Sequence, residues 1–339
     1  MTPFDAVLVV AFGGPGGPQD VRPFLANVLR GRRISPERLE EVVRHYERFG
    51  GMSPLTEITM KQAHGLEQRL ASQARGLPVY VGMRNWHPLL PDTIRTMAAR
   101  GVRRAIGLIL APHRSYSSCT QYRQNVMDAR GEATDAGLPD VEVTYVSDWH
   151  THPGFIDANR RHVLAAIARL PEHARPRTRL VFTAHSVPAA MTGAERYRQQ
   201  VHESARLVAS AAGSKDWTVV FQSRSGRPED PWLGPDVCDY LRGIAGTVPG
   251  VVLVPIGFVC DHIEVLYDLD HEAAEVCRDA GLPMARAAAV NDDPVFLDMA
   301  AEVVTDVLTT YRSGRPLAIV SASPPERVEG PPVARNASR

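Results

Sequence analysis

The chain has 339 residues, enough for two domains of ordinary size, and its 44% hydrophobic and 22% charged content is that of a globular protein. Its 38 basic and 38 acidic residues cancel to a formal net charge of zero, which argues against a nucleic-acid binder, where a basic excess is the rule. No apolar run approaches the ~18 residues of a membrane helix, no secretory leader is visible, and Cys119, Cys238, Cys260 and Cys277 form no CxxC pair. A cytoplasmic protein is expected, without stable membrane insertion, a disulfide framework, or a zinc or iron–sulfur site.

Apolar runs alternate with helical patterns along the chain. FDAVLVVAF (4–12) is the first run and ends in GGPGGP. LPVYVGM (77–83), RAIGLILA (104–111) and VEVTYVS (141–147) follow, each separated from the next by a helical stretch. RLVFTAH (179–185), TVVFQS (218–223), VVLVPIGFV (251–259) and MARAAAV (284–290) repeat the arrangement. Continuous apolar strands between helices mean parallel strands covered on both faces. The reading is α/β, with two doubly wound parallel-sheet halves, 1–150 and 151–312, meeting near SDWHTHPGF. A last helix, about 293–312, is expected to cross back onto the first half, and the Pro-, Ser- and Arg-rich tail, 313–339, to be disordered. Ligands of such folds sit beyond the carboxyl ends of the strands, so strand-end residues are the ones to inspect.

The Gly-rich turn FGGPGGPQD fits neither GxGxxG nor GxxxxGK[ST], and its prolines remove backbone donors a phosphate would use, so no nucleotide is expected. His185 stands at the mouth of the fifth strand, in TAHSVP. A lone histidine is more often a satisfied structural residue, but the strand-end position favours function. DHIEVLYDLDHE (261–272) places Glu264, Asp268 and Glu272 four residues apart on one side of a helix that follows a buried strand. Such a run is commonly a solvated face. Here Val265, Leu266 and Leu269 give the helix an apolar side, and His262 precedes it. Like charges at this spacing repel, and a cation between them removes the cost. Carboxylates with imidazole suit a divalent metal of intermediate hardness such as Fe²⁺. The loops RNWHP (84–88), QSRSGRPEDPWLGPD (222–236) and HYERFGGMSPL (45–55) combine Gly or Pro with aromatic and charged residues, as site-building loops do.

Taken together, VAFGGP, RGRRISPERLEEVVRHYERFGGMSPL, MRNWHP, SSCTQY, TAHSVP, QSRSG…PWLGPDV and PIGFVCDHIEVLYDLDHE resemble the ferrochelatase family from about Val7 to Thr310. The resemblance implies a chelatase-type fold, two Rossmann-like halves with a porphyrin in the cleft between them. It implies that Fe²⁺ is a substrate, received by His185 and Glu264 as catalytic and metal-binding pair, with Asp268 and Glu272 as an outer metal or proton path. It places Ser53 and Tyr122 at the porphyrin edge, and Tyr46 and the arginines of RGRR, Arg30 among them, near its propionates. Phe12 stands where many Gram-positive relatives have a tyrosine that faces the macrocycle; it can stack on the ring but cannot ligate iron. RGRRISPE, HYERFGG and QVHESARLV favour the branch that metallates coproporphyrin III to Fe-coproporphyrin III in haem biosynthesis. A protoporphyrin IX ferrochelatase and a non-catalytic tetrapyrrole carrier remain the alternatives. The tail has no cysteine, so no 2Fe–2S cluster is expected. A monomer is expected, with a downstream enzyme of the haem pathway as candidate partner.

Overall fold

Two parallel four-stranded sheets organise the chain in the computed structural model, which describes residues 3–31, 34–72, 76–225 and 230–314. Strand β1 (Ala6–Ala11) is buried at every position because helices cover both its faces. It pairs with β2 (Val79–Met83) on one side and β3 (Arg104–Ile109) on the other, and β4 (Glu142–Tyr145) completes the order β2-β1-β3-β4. The second sheet repeats this order: β5 (Arg179–His185) lies between β6 (Trp217–Gln222) and β7 (Val251–Val254), with β8 (Met284–Arg286) at the edge. In each sheet the chain leaves the central strand to one side and returns on the other. That reversal opens a crevice at the carboxyl ends, between β1 and β3 and between β5 and β7. Phe12 follows β1 and His185 ends β5, so both stand at a crevice.

Three helices link β1 to β2: α1 (Val21–Val28), α2 (Pro36–Arg48) and α3 (Leu55–Ser72). Ser35 starts α2 by accepting from the Arg38 N–H at 3.2 Å, with Pro36 at the first helical position, where no donor is needed. Then come α4 (Leu90–Ala99), α5 (Gln121–Asp135), α6 (Pro153–Arg169), α7 (Ala194–Ala211) and α8 (Val237–Ile244). After β7, α9 (Ile263–Val265) runs through a π-helical stretch, Leu266–Ala273, into α10 (Ala274–Asp279). The last helix, α11 (Pro294–Arg312), packs on α3 and α6. A Cβ on Gly65 would lie 2.5 Å from Leu297, and one on Gly154 2.7 Å from Met299, so the glycines permit the close approach. Arg69 also pairs with Asp298 at 2.5 Å, and Tyr311 meets the Phe4 ring edge at 5.4 Å. One apolar core runs from β1 through α3, α6 and α11 to β5. Among the described residues no helix is long and apolar enough to cross a membrane.

Two strands are shorter than their apolar runs. The run 251–259 pairs only as far as Val254, because Pro255 has no N–H and the chain then turns across β5. The Gly257 N–H donates to the Thr183 carbonyl at 3.0 Å. Ile256, Phe258 and Val259 are buried in that turn. Likewise β8 ends at Arg286, although Ala287, Ala289 and Val290 remain buried. The expected disordered tail falls almost wholly on 315–339, outside the described residues.

A Cβ on Gly257 would lie 2.7 Å from Ala184 Cα, one residue before His185. Gly257→Ala is therefore expected to lower stability by about 1–3 kcal/mol through overpacking against backbone. Urea unfolding measures this; an unchanged midpoint would show slack in the turn.

Candidate active site

His185 Nδ1 lies against the Ser186 carbonyl, so it carries the proton and donates it there. Nε2 faces Glu264 Oε1 at 3.9 Å. The Tyr197 hydroxyl donates to the His185 carbonyl at 3.0 Å and fixes the strand end. The imidazole is 35% exposed and the Glu264 side chain 46%, so both are reachable from solvent. The gap is too long for a hydrogen bond. Two atoms that each ligate one divalent ion at roughly 2.1 Å can stand up to about 4.2 Å apart, so the pair fits a shared cation.

Glu264 begins the helix that follows the turn over β5. Its N–H donates to His262 Nδ1 at 3.2 Å, a capping bond that needs the neutral imidazole. Burial lowers the His262 pKa, in keeping with that role. The imidazole beside the acids is thus used to start the helix. Through Leu266–Ala273 each hydrogen bond spans five residues, so a turn takes more than four. Asp268 accepts from Ser223 Oγ and from Gln222 Nε2, the latter at 3.2 Å. Gln222 Nε2 also donates to the Glu264 carbonyl at 3.1 Å, and the residue lies beside His185 in the β5–β6 register. Burial raises the Asp268 pKa to about 7; the charges of Glu264 and Glu272 add to this, and the bonds from Ser223 and Gln222 oppose it. Glu272 is raised too, by burial first and then by Asp236.

Among the described residues no three His, Cys, Asp or Glu side chains gather as a metal cage. His185, Glu264, Asp268 and Glu272 therefore form a pair followed by a line of acids. The back of this helix is held by Arg286, whose Nη1 pairs with Asp261 and Nε with Asp270, each at 2.7 Å. Asp261 also accepts from Asn291 Nδ2 at 2.8 Å, with Asn291 in the left-handed region at φ 45°. Gln62 of α3 donates to the carbonyls of Asn291 and Val259 at 2.7 and 3.1 Å. Sequence reasoning did not single out Gln222, Arg286, Asn291 or Gln62. Only Gln222 carried a signal, as a polar residue closing an apolar strand.

The first half supplies the facing wall. The turn after β1 lies on residues 51–56: the Gly14 N–H donates to Thr56 Oγ1 at 3.0 Å, and the Ser53 N–H to the Pro15 carbonyl at 2.9 Å. A Cβ on Gly14 would stand 2.9 Å from Ser53 Cβ, which explains the glycine and leaves Ser53 buried. Phe12 is 37% exposed, with its ring edge-on to Phe24 at 6.2 Å. Tyr46 is buried among Phe24, Val43 and Ile263, the last of which adjoins Glu264. Tyr122, just after a second π-helical turn (Tyr116–Thr120), is buried as well. Burial raises the pKa of both tyrosines, and in both the charge of Glu264 adds to the shift, which places their hydroxyls in its field. His45 of α2 stacks on Tyr267 at 3.7 Å, joining the two walls. Arg30 is exposed after α1 and bonds Asn27 at 2.9 Å. Arg32 and Arg33 lie outside the described residues.

The family model described as Ferrochelatase matches residues 4–308. The coproporphyrin III ferrochelatase of Mycolicibacterium smegmatis is 44% identical over 333 residues, covering 97% of this chain and 93% of that one. The ferrochelatase of Rhodopirellula baltica is 44% identical over 310 residues, covering 91% and 87%. SirB from Bacillus subtilis, solved with Fe³⁺, superposes with a TM-score of 0.57 over 91% of this chain and 97% of its own. At 9% identity that likeness establishes the two-half chelatase fold alone.

The raised Asp268 pKa has a stability consequence for the metal-free protein. The unfolded carboxyl ionises near pH 3.9 and the folded one at about 7. Asp268 therefore favours the folded state most below pH 4, and that contribution is lost as pH rises toward 7. Asp268→Asn is expected to remove this decline and to be more stable than wild type above pH 7, by roughly 1–3 kcal/mol after solvent screening. Urea midpoints between pH 4 and 8 measure it; parallel curves for the two proteins would contradict the burial argument.

Proposed function

Because this chain belongs to the ferrochelatase family, we propose that it inserts Fe²⁺ into coproporphyrin III, releasing two protons and Fe-coproporphyrin III. The His185–Glu264 pair carries the reading: an imidazole nitrogen and a carboxylate oxygen 3.9 Å apart, both reachable from solvent. The name shared by relatives such as the Mycolicibacterium smegmatis enzyme supports coproporphyrin over protoporphyrin.

A free porphyrin is flat, and its nitrogen lone pairs lie in the ring plane. A cleft that bends the ring exposes them and so favours the transition state over the free substrate. Phe12, backed by Phe24 and Tyr46, forms the surface against which the macrocycle is held. Tyr122, Ser53 and Arg30 serve its polar edge; arginine suits carboxylates because its donors have fixed geometry. Fe²⁺ reaches the pair along Glu272 and Asp268. As it passes to the ring, His185 Nε2 takes up a pyrrole proton, and Asp268, titrating near neutrality, accepts and releases protons on the way out. Halves 1–150 and 151–312 act as the two walls of this cleft, in a cytoplasmic monomer that hands its product to a later enzyme of haem synthesis.

Anaerobic protein mixed with Fe²⁺ and either coproporphyrin III or protoporphyrin IX tests the reading through loss of free-porphyrin absorbance. Fast metallation of coproporphyrin alone is expected. His185→Ala is expected to bind coproporphyrin and lose at least about 100-fold in rate. Preference for protoporphyrin would overturn the substrate, and near-normal turnover in the variant would overturn the role of His185.

A further inference from the structure

A small half-open cavity, with about 20 Å³ of room for the centre of a water-sized group, lies beyond the carboxyl ends of β3 and β4, apart from the His185–Glu264 pair. Arg114, Cys119, Arg123, Tyr145 and Asp148 line it. Cys119 belongs to the π-helical turn that leads into Tyr122, so one short segment has the cavity on one side and the cleft wall on the other.

The charges in the cavity do not balance. Asp148 pairs with Arg114 and also accepts from Arg196 Nη2 at 3.3 Å and Gln200 Nε2 at 3.4 Å. Its single negative charge is thus shared by two guanidinium groups. Arg123 has no carboxylate partner among the described residues. Its guanidinium carbon sits 4.5 Å from the centre of the Tyr145 ring, and its Nε is shielded from solvent without a hydrogen-bond partner. Gly107 opposite makes this possible, since a Cβ there would stand 2.6 Å from the Tyr145 ring. Burial, and Arg114 after it, lower the Arg123 pKa, and Asp148 only partly opposes them. An unbalanced charge costs free energy that an incoming anion, bonded by the terminal guanidinium nitrogens, offsets.

We propose that this cavity is a binding site for one small oxyanion, a carboxylate or a phosphate, held by the Arg123 guanidinium with Arg114 beside it. The planar guanidinium matches an oxyanion with two parallel donors, and the cation–π contact with Tyr145 holds it in place. The occupant is a free anion or, on the reading that the substrate is coproporphyrin III, one of its propionates reaching past Tyr122.

Calorimetric titration of inorganic phosphate into wild type, Arg123→Lys and Arg123→Gln at constant ionic strength tests the proposal without any metallation. Saturable binding to wild type is expected. Affinity should fall at least about tenfold in Arg123→Gln, the equivalent of one charge-assisted hydrogen bond, and less in Arg123→Lys. Matching melting temperatures for wild type and Arg123→Lys keep the comparison valid if the Gln variant is unstable. Repeating the titration on coproporphyrin-loaded wild type separates the sources. Unchanged phosphate binding marks a free-anion site, and competition marks a propionate site. No saturable binding to wild type, or equal binding to all three proteins, would overturn the proposal.

Discussion

The parallel pairing of β5 with β6 and β7 is the constraint on which the site depends. Strands buried on both faces have little room for polar side chains along their length, so the polar groups collect where pairing stops. His185 and Gln222 are adjacent in register at the ends of β5 and β6. β7 ends earlier, and the turn at Pro255–Gly257 carries the chain over the end of β5. The helix that follows therefore begins within reach of both residues. Gln222 then bonds the Glu264 carbonyl and the Asp268 carboxylate through one nitrogen. A shift of one residue in the β5–β6 pairing would turn Gln222 to the opposite face and break that link.

Gathering acids on one helix is unfavourable, and the structure offsets the cost in two ways. Asp268 holds its proton until about pH 7, so the line of acids carries fewer negative charges at once near neutrality. On the reverse face Arg286 bonds Asp261 and Asp270, anchoring the helix by its back and leaving the Glu264 side free. The π-helical stretch lies within this same segment, and wide turns of this kind occur frequently at functional sites. A carboxyl group that titrates near neutrality is also the kind that can pass protons in both directions. Burial of Asp268 thus lowers stability and, on the proposed function, suits it to proton transfer through one cause.

All eight strands were legible as apolar runs, because a strand covered on both faces must be apolar throughout. Their ends were less legible. The run 251–259 is apolar to its last residue, yet its second part is a buried turn, which periodicity cannot tell from a buried strand. The spacing of Glu264, Asp268 and Glu272 was plain in the sequence, but the π-helical winding was not. His262 suggests a further metal donor and is a helix cap, accepting the Glu264 N–H that no preceding helical carbonyl can take. The supports were hidden for a different reason: Gln62 meets Asn291 across 229 residues, and no local pattern records such a contact. Much of the site list came from motif resemblance to a family. The structure adds which of those residues face one another and what holds them there.

On the proposed function, metal enters and protons leave through the His185–Glu264 pair. The most direct measurement is the single-turnover rate of Fe²⁺ insertion into pre-bound coproporphyrin III by Glu264→Gln, with porphyrin affinity measured on the same samples. Gln keeps the shape and removes the charge. Unchanged porphyrin affinity and an insertion rate at least about 100-fold lower are expected. An insertion rate near that of wild type would contradict this and move the metal's route elsewhere in the cleft.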